Sequence, residues 1–242
     1  MKKVLFVAAA FVVALLLAFR HADKQTINPG KKPYSVVREK NVIRCSPNWD
    51  ELKEWLEETD IPPIPGAGNH KWNINTNSDS AQFYFNQGIN MYYGFHIIEA
   101  MASFKKAVKF DPGCAMLYWA QALTYGPNIN DFGYSASSDA LTANQNAKKF
   151  MELLPGRDKM LIDAQMARYS ADSTQSRQKL NQQYVDKMKE VYERYPNDAD
   201  VAVLYADAMM LQHPWDLWTI NGSPKPWTPL IRKVLEKTLA KY

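Results

Sequence analysis

His96 and Glu99 stand three residues apart, a spacing that on a helix places both on one face, where an imidazole and a carboxylate can hold a divalent metal. Such a site needs a third or fourth ligand. The other histidines, His21, His70 and His213, are scattered, and no HExxH occurs. The pair reads as a hairpin-turn histidine beside a solvated glutamate. Asp198, Asp200 and Asp207 gather near one helix start, but the alternating acids, central glycine and closing glutamate of an EF-hand are missing. Acids at a helix N-terminus are expected from its dipole alone. The two cysteines, Cys45 and Cys114, belong to no CxxC or CxxCH arrangement; they either pair with each other or leave Cys114 as a small buried hydrophobe. No GxSxG, glycine-rich phosphate loop or Cys/His signature is present. The sequence therefore assigns no catalytic residue, no metal and no cofactor.

The elements that would carry these groups read as helical. Lys2 and Lys3 precede Val4 to Phe19, sixteen residues without a charge, so 1–20 reads as an export signal or short membrane anchor. Without Lys2, Lys3 and Arg20, 26 basic residues face 25 acidic ones, so no basic stripe remains to attract nucleic acid. Residues 21–78 form an arm, with a short amphipathic helix at 47–58 begun by Ser46-Pro47 and a stiff Pro-rich linker at 61–68. Helices follow at 80–93, 96–110, 115–125, 138–153, 158–170, 175–194, 198–212 and 229–241, the last begun by a Thr228 cap with Pro229 behind it. Short helices joined by short turns imply antiparallel hairpins.

Gly88, Ala100, Phe104, Ala107 and Pro112 follow one another at spacings of 12, 4, 3 and 5. In these positions the stretch 81–114 resembles a tetratricopeptide (TPR) repeat, whose period is about 34 residues. Small residues at Gly88 and Ala100 let two helices approach, Phe104 fills space beside them, and Pro112 ends the second helix. A second helix starts in register, with Tyr118, Ala122 and Tyr125 in the paired positions; later passes are degenerate. Asp111-Pro-Gly-Cys-Ala-Met-Leu-Tyr-Trp119, Gly126-Pro-Asn-Ile-Asn130 and Pro214-Trp215 resemble a subfamily of exported bacterial TPR proteins. The resemblance implies an all-α domain over 79–242, with TPR-like hairpins stacked as a right-handed α-solenoid. It also implies a periplasmic or membrane-tethered location.

In a TPR-like hairpin the first helix lines the concave face. That assigns Gln82, Phe85, Ile89 and Tyr92, then Met116, Trp119 and Leu123, to a candidate partner-binding surface. So apolar a face needs a cover. Either an external peptide supplies it or the arm does, through Trp49, Trp55 and Trp72; the arm is favoured because intramolecular packing needs no partner at low concentration. The turns His213-Pro-Trp-Asp-Leu-Trp218 and Pro224-Lys-Pro-Trp227 read as seals at the end of the stack, with recognition of carbohydrate or peptide the second reading. The expected function is that of a non-catalytic scaffold binding a protein or peptide; metal or enzymatic chemistry near His96 and Glu99 is the alternative.

Overall fold

Polar side chains set where the helices begin. Ser78 accepts from the Ala81 amide at 3.2 Å, Ser137 from Ala140 at 3.1 Å, Ser176 from Lys179 at 3.2 Å and Asp198 from Val201 at 3.1 Å. Each satisfies one of the amides that a helix N-terminus leaves open. The computed structural model describes residues 47–241 apart from 132, 133, 135 and 153, all within one unit of the chain. The expected signal or anchor, the arm up to residue 46 and Cys45 lie outside the described residues.

Among the described residues there are nine helices. They are α1 (Trp49–Glu58), α2 (Asp79–Tyr93), α3 (Ile97–Phe110), α4 (Ala115–Thr124), α5 (Ser138–Lys149), α6 (Gly156–Ala167), α7 (Arg177–Arg194), α8 (Ala199–Gln212) and α9 (Thr228–Leu239). Packing is mainly between sequential neighbours: α2 on α3, α4 on α5, α7 on α8 and α9 on α8. Alternate helices α2 and α4, and α4 and α6, also touch, as they do when hairpins stack. The protein is thus all-α, consistent with a helical-hairpin array.

The repeat positions are core positions. Gly88, Ala100, Phe104 and Ala107 are buried, and exposed Pro112 follows the end of α3. A Cβ on Gly88 would stand 2.5 Å from Phe104 Cε1, so only glycine admits that ring.

Several boundaries differ from expectation. The helix expected over 138–153 stops at Lys149, because Phe150 turns its ring onto Tyr118 at 5.7 Å. The next begins at Gly156 behind Pro155, two residues earlier than expected. Asn48, not Ser46, occupies the N-cap of α1. Thr228 is already helical, with Trp227 as its N-cap, because the Thr228 hydroxyl is engaged by the Leu217 carbonyl.

Candidate functional site

The stripe Gln82, Asn86 and Asn90 runs along α2 at four-residue intervals, and a side-chain amide carries both a donor and an acceptor. Four helical residues advance about 6 Å, while two residues of extended chain advance about 6.6 Å. A helix with an amide every fourth residue therefore matches an extended peptide at every second residue. The arm residues His70, Trp72 and Ile74 use that match, running antiparallel to α2. Asn90 Oδ1 accepts from the His70 amide at 3.1 Å and Asn90 Nδ2 donates to the His70 carbonyl at 2.8 Å. Asn86 Oδ1 accepts from the Trp72 amide at 3.1 Å. Gln82 Nε2 donates to the Trp72 carbonyl at 2.9 Å, and Gln82 Oε1 accepts from the Ile74 amide at 3.0 Å.

The chain then folds back over the same helix. Gln87 Oε1 accepts from the Ile64 amide at 2.8 Å, and its Nε2 donates to the Pro62 carbonyl at 3.2 Å. Lys106 of α3 completes the grip, donating to the Ile61 carbonyl at 2.8 Å and pairing with Asp60 at 2.7 Å. Gly68 makes the crossing possible: its φ is +118°, and a Cβ there would stand 2.2 Å from Asn90 Oδ1.

The side chains add the apolar component. Trp72 is 2% exposed, its ring 6.0 Å from Phe85 and 5.3 Å from Trp119, with the Arg157 guanidinium 5.2 Å above it. Its indole nitrogen finds no hydrogen-bond partner among the described residues. Burying about 200 Å² of indole at ~25 cal/mol per Å² is worth about 5 kcal/mol before ordering entropy. Each neutral hydrogen bond nets about 1 kcal/mol. The tryptophan thus supplies the larger single contribution, and the amides set direction and register.

These contacts locate the residues singled out in the sequence. Phe85, Ile89, Met116, Trp119 and Leu123 are buried; Gln82 and Tyr92 are half-buried. The arm covers this face through Trp72. Trp49 meets Tyr125 instead, at 5.1 Å, and Trp55 stays exposed. The amides Asn86, Gln87 and Asn90 were missed. The four-residue spacing of Gln82, Asn86 and Asn90 was legible, but only beside a chain known to lie along it.

A second cluster joins distant hairpins. Asp200 of α8 accepts from the Tyr93 hydroxyl at 2.9 Å and meets His70 Nε2 at 2.9 Å. Burial holds its carboxyl above the usual range, opposed by His70 and Tyr93. Arg157 pairs with Asp158 at 2.9 Å and Asp198 at 3.0 Å. The three aspartates thus differ: Asp198 caps α8, Asp200 ties it to the arm and α2, and Asp207 lies beside Arg168. Arg168 is fully buried, donates to the Pro127 carbonyl and lies 4.9 Å over the Tyr184 ring. Tyr169 donates to the Ala122 and Gly126 carbonyls. Burial, then Arg168, lowers the Arg177 guanidinium to about 10. Among the described residues Arg168 Nε and Nη1 find no hydrogen-bond partner, yet the side chain is fully buried. The cluster therefore acts as a clamp on the 126–131 loop.

His96 is exposed at the N-cap of α3, with Glu99 one turn into the helix. Among the described residues no group of three or more His, Cys, Asp or Glu is placed to hold a metal. Among the described residues, Cys114 is a buried free thiol. His213 stacks on Trp227 at the end of α8, while Trp215 and Trp218 are exposed. Comparison with family models, curated proteins and solved structures gives no match.

Proposed function

We propose that this chain is a non-catalytic, TPR-like binding protein whose first hairpin grips an extended peptide by its backbone, with its own arm as the resident occupant. One observation carries the reading: Gln82, Asn86 and Asn90 answer the backbone groups of residues 70, 72 and 74 at the spacing of an extended chain. Backbone groups are common to every peptide, so such a face accepts any extended segment that also brings a large aromatic side chain to the Phe85–Trp119 pocket. A protein or peptide partner that displaces residues 62–74 would meet the same amides.

The TPR-like character is supported by Gly88 beneath Phe104 and by the contacts between alternate helices. A right-handed solenoid follows from stacking such hairpins. Export, with a periplasmic or membrane-tethered domain, rests on the Lys2–Phe19 segment of the sequence.

The test uses a labelled synthetic peptide spanning residues 60–76, added to full-length protein. Trp72→Ala and Gly68→Ala each loosen the arm, the second without opening the core, and circular dichroism checks that both remain folded. The variants should bind the peptide at least tenfold more tightly than wild type, and adding Asn86→Ala with Asn90→Ala should abolish the gain. Folded variants that bind no peptide would exclude the reading.

A further inference from the structure

Large exposed apolar side chains are not spread evenly over this protein. Among the described residues, six of the twelve fall between Trp215 and Leu239: Trp215, Trp218, Ile220, Leu230, Leu235 and Leu239. Charge is also uneven. Residues 47–214 carry 15 basic against 21 acidic residues, whereas residues 215–242 carry five basic against two acidic. Both of those acids are paired, Asp216 with Lys225 at 3.0 Å and Glu236 with Arg232 at 2.6 Å. Lys233, Lys237 and Lys241 carry the surplus.

In helical projection Leu230 shares a side of α9 with Lys233 and Lys237, whereas Leu235 and Leu239 lie nearly opposite them. The Trp218–Pro224 bridge closes a turn with Ile220 fully exposed at its tip. Trp218 lies 6.0 Å from the Arg232 guanidinium, which ties the turn to α9. Pro224, Pro229, Arg232, Lys233, Glu236 and Lys237 line an open cleft of about 440 Å³ beside it. Lys233 and Lys237 line it one helical turn apart, and Leu230 precedes Lys233 at helical spacing.

We propose that this face, the Trp218–Ile220 turn with the Leu230–Lys237 side of α9, docks on the surface of an anionic lipid bilayer. The tryptophan and Ile220 enter the headgroup boundary, while Arg232, Lys233 and Lys237 meet lipid phosphates at the cleft. Charge selects this occupant. A second copy, related by a two-fold axis, would bring the same cations face to face. A neutral apolar partner would leave them unanswered.

Full-length protein is mixed with vesicles of phosphatidylcholine alone or with one-third phosphatidylglycerol, and amide hydrogen exchange is read peptide by peptide. The peptide-level readout separates this face from any contact made by the N-terminal apolar segment. Anionic vesicles should protect 217–223 and 228–239, and neutral vesicles should not. Lys233→Gln with Lys237→Gln should weaken that protection roughly thirtyfold at physiological salt. Ile220→Asp, in an exposed turn, should weaken it without altering circular dichroism. Equal protection by neutral vesicles, protection insensitive to these substitutions, or protection rising with protein concentration in the absence of lipid would each overturn the proposal.

Discussion

The ring of Phe104 lies directly over the backbone of Gly88, so close that one added methyl group would fall 2.5 Å from Cε1. Both residues are fully buried, so neither α2 nor α3 can move aside cheaply. Gly88→Ala should therefore destabilise the protein by about 1–3 kcal/mol in urea unfolding, the usual cost of overpacking. Adding Phe104→Leu should recover part of the loss. Additive losses would show that the two positions do not press on each other.

Asn86 and Asn90 answer arm amides that would otherwise lack partners. Replacing both with alanine leaves those groups unmet, at a cost of about 1–3 kcal/mol each. Exchange of the His70 and Trp72 amides should accelerate at least tenfold, and trypsin should cut after Lys71 sooner. An unchanged cleavage rate would mean that Trp72 alone holds the arm.

Asp207 gives a pH dependence with a defined sign. Burial holds its carboxyl above the usual value, with Arg168 opposing. The folded state thus binds the proton more tightly than the unfolded chain does. That contribution favours folding below about pH 4 and is lost as pH rises through the raised folded value. Asp207→Asn cannot ionise. The stability of wild type relative to this variant should fall from about pH 4 upward and then level. A pH-independent difference would place Asp207 in water.

Burial pushes the Cys114 thiol up to about 11, from an ordinary value of 9.0. The thiolate fraction at pH 8 is then about a hundredfold below that of a free cysteine. Alkylation of Cys114, followed by mass spectrometry, should be at least that much slower in folded protein than in urea. Rapid labelling at native pH would show that the start of α4 opens.

The hairpin was legible because its signals are local: prolines stop helices, and small residues recur where two backbones approach. Helix ends moved where a contact intervened, as when Phe150 left the helix to stack on Tyr118. The cover over the first hairpin was half legible. Trp49, Trp55 and Trp72 together announce a buried anchor, but nothing local marks which of them reaches the core, and Trp49 and Trp55 went elsewhere. The rest of the amide stripe was hidden for a different reason: Gln82 was placed on the candidate face, but Asn86 and Asn90 resemble an ordinary polar flank until the arm lies along them. Asp200 was read as a dipole residue because its partners His70 and Tyr93 stand over a hundred positions away.

Backbone recognition by α2 is tested most directly by comparing two peptides spanning residues 60–76 on the Gly68→Ala protein. One keeps Gly68 and Trp72 and scrambles the other side chains; its partner keeps every side chain but carries N-methyl groups at His70 and Trp72, removing both amide donors. Titration calorimetry should find the scrambled peptide bound within about threefold of the native one, and the methylated peptide weakened by at least tenfold. Full affinity for the methylated peptide would show that the amides of Asn86 and Asn90 do not hold the chain.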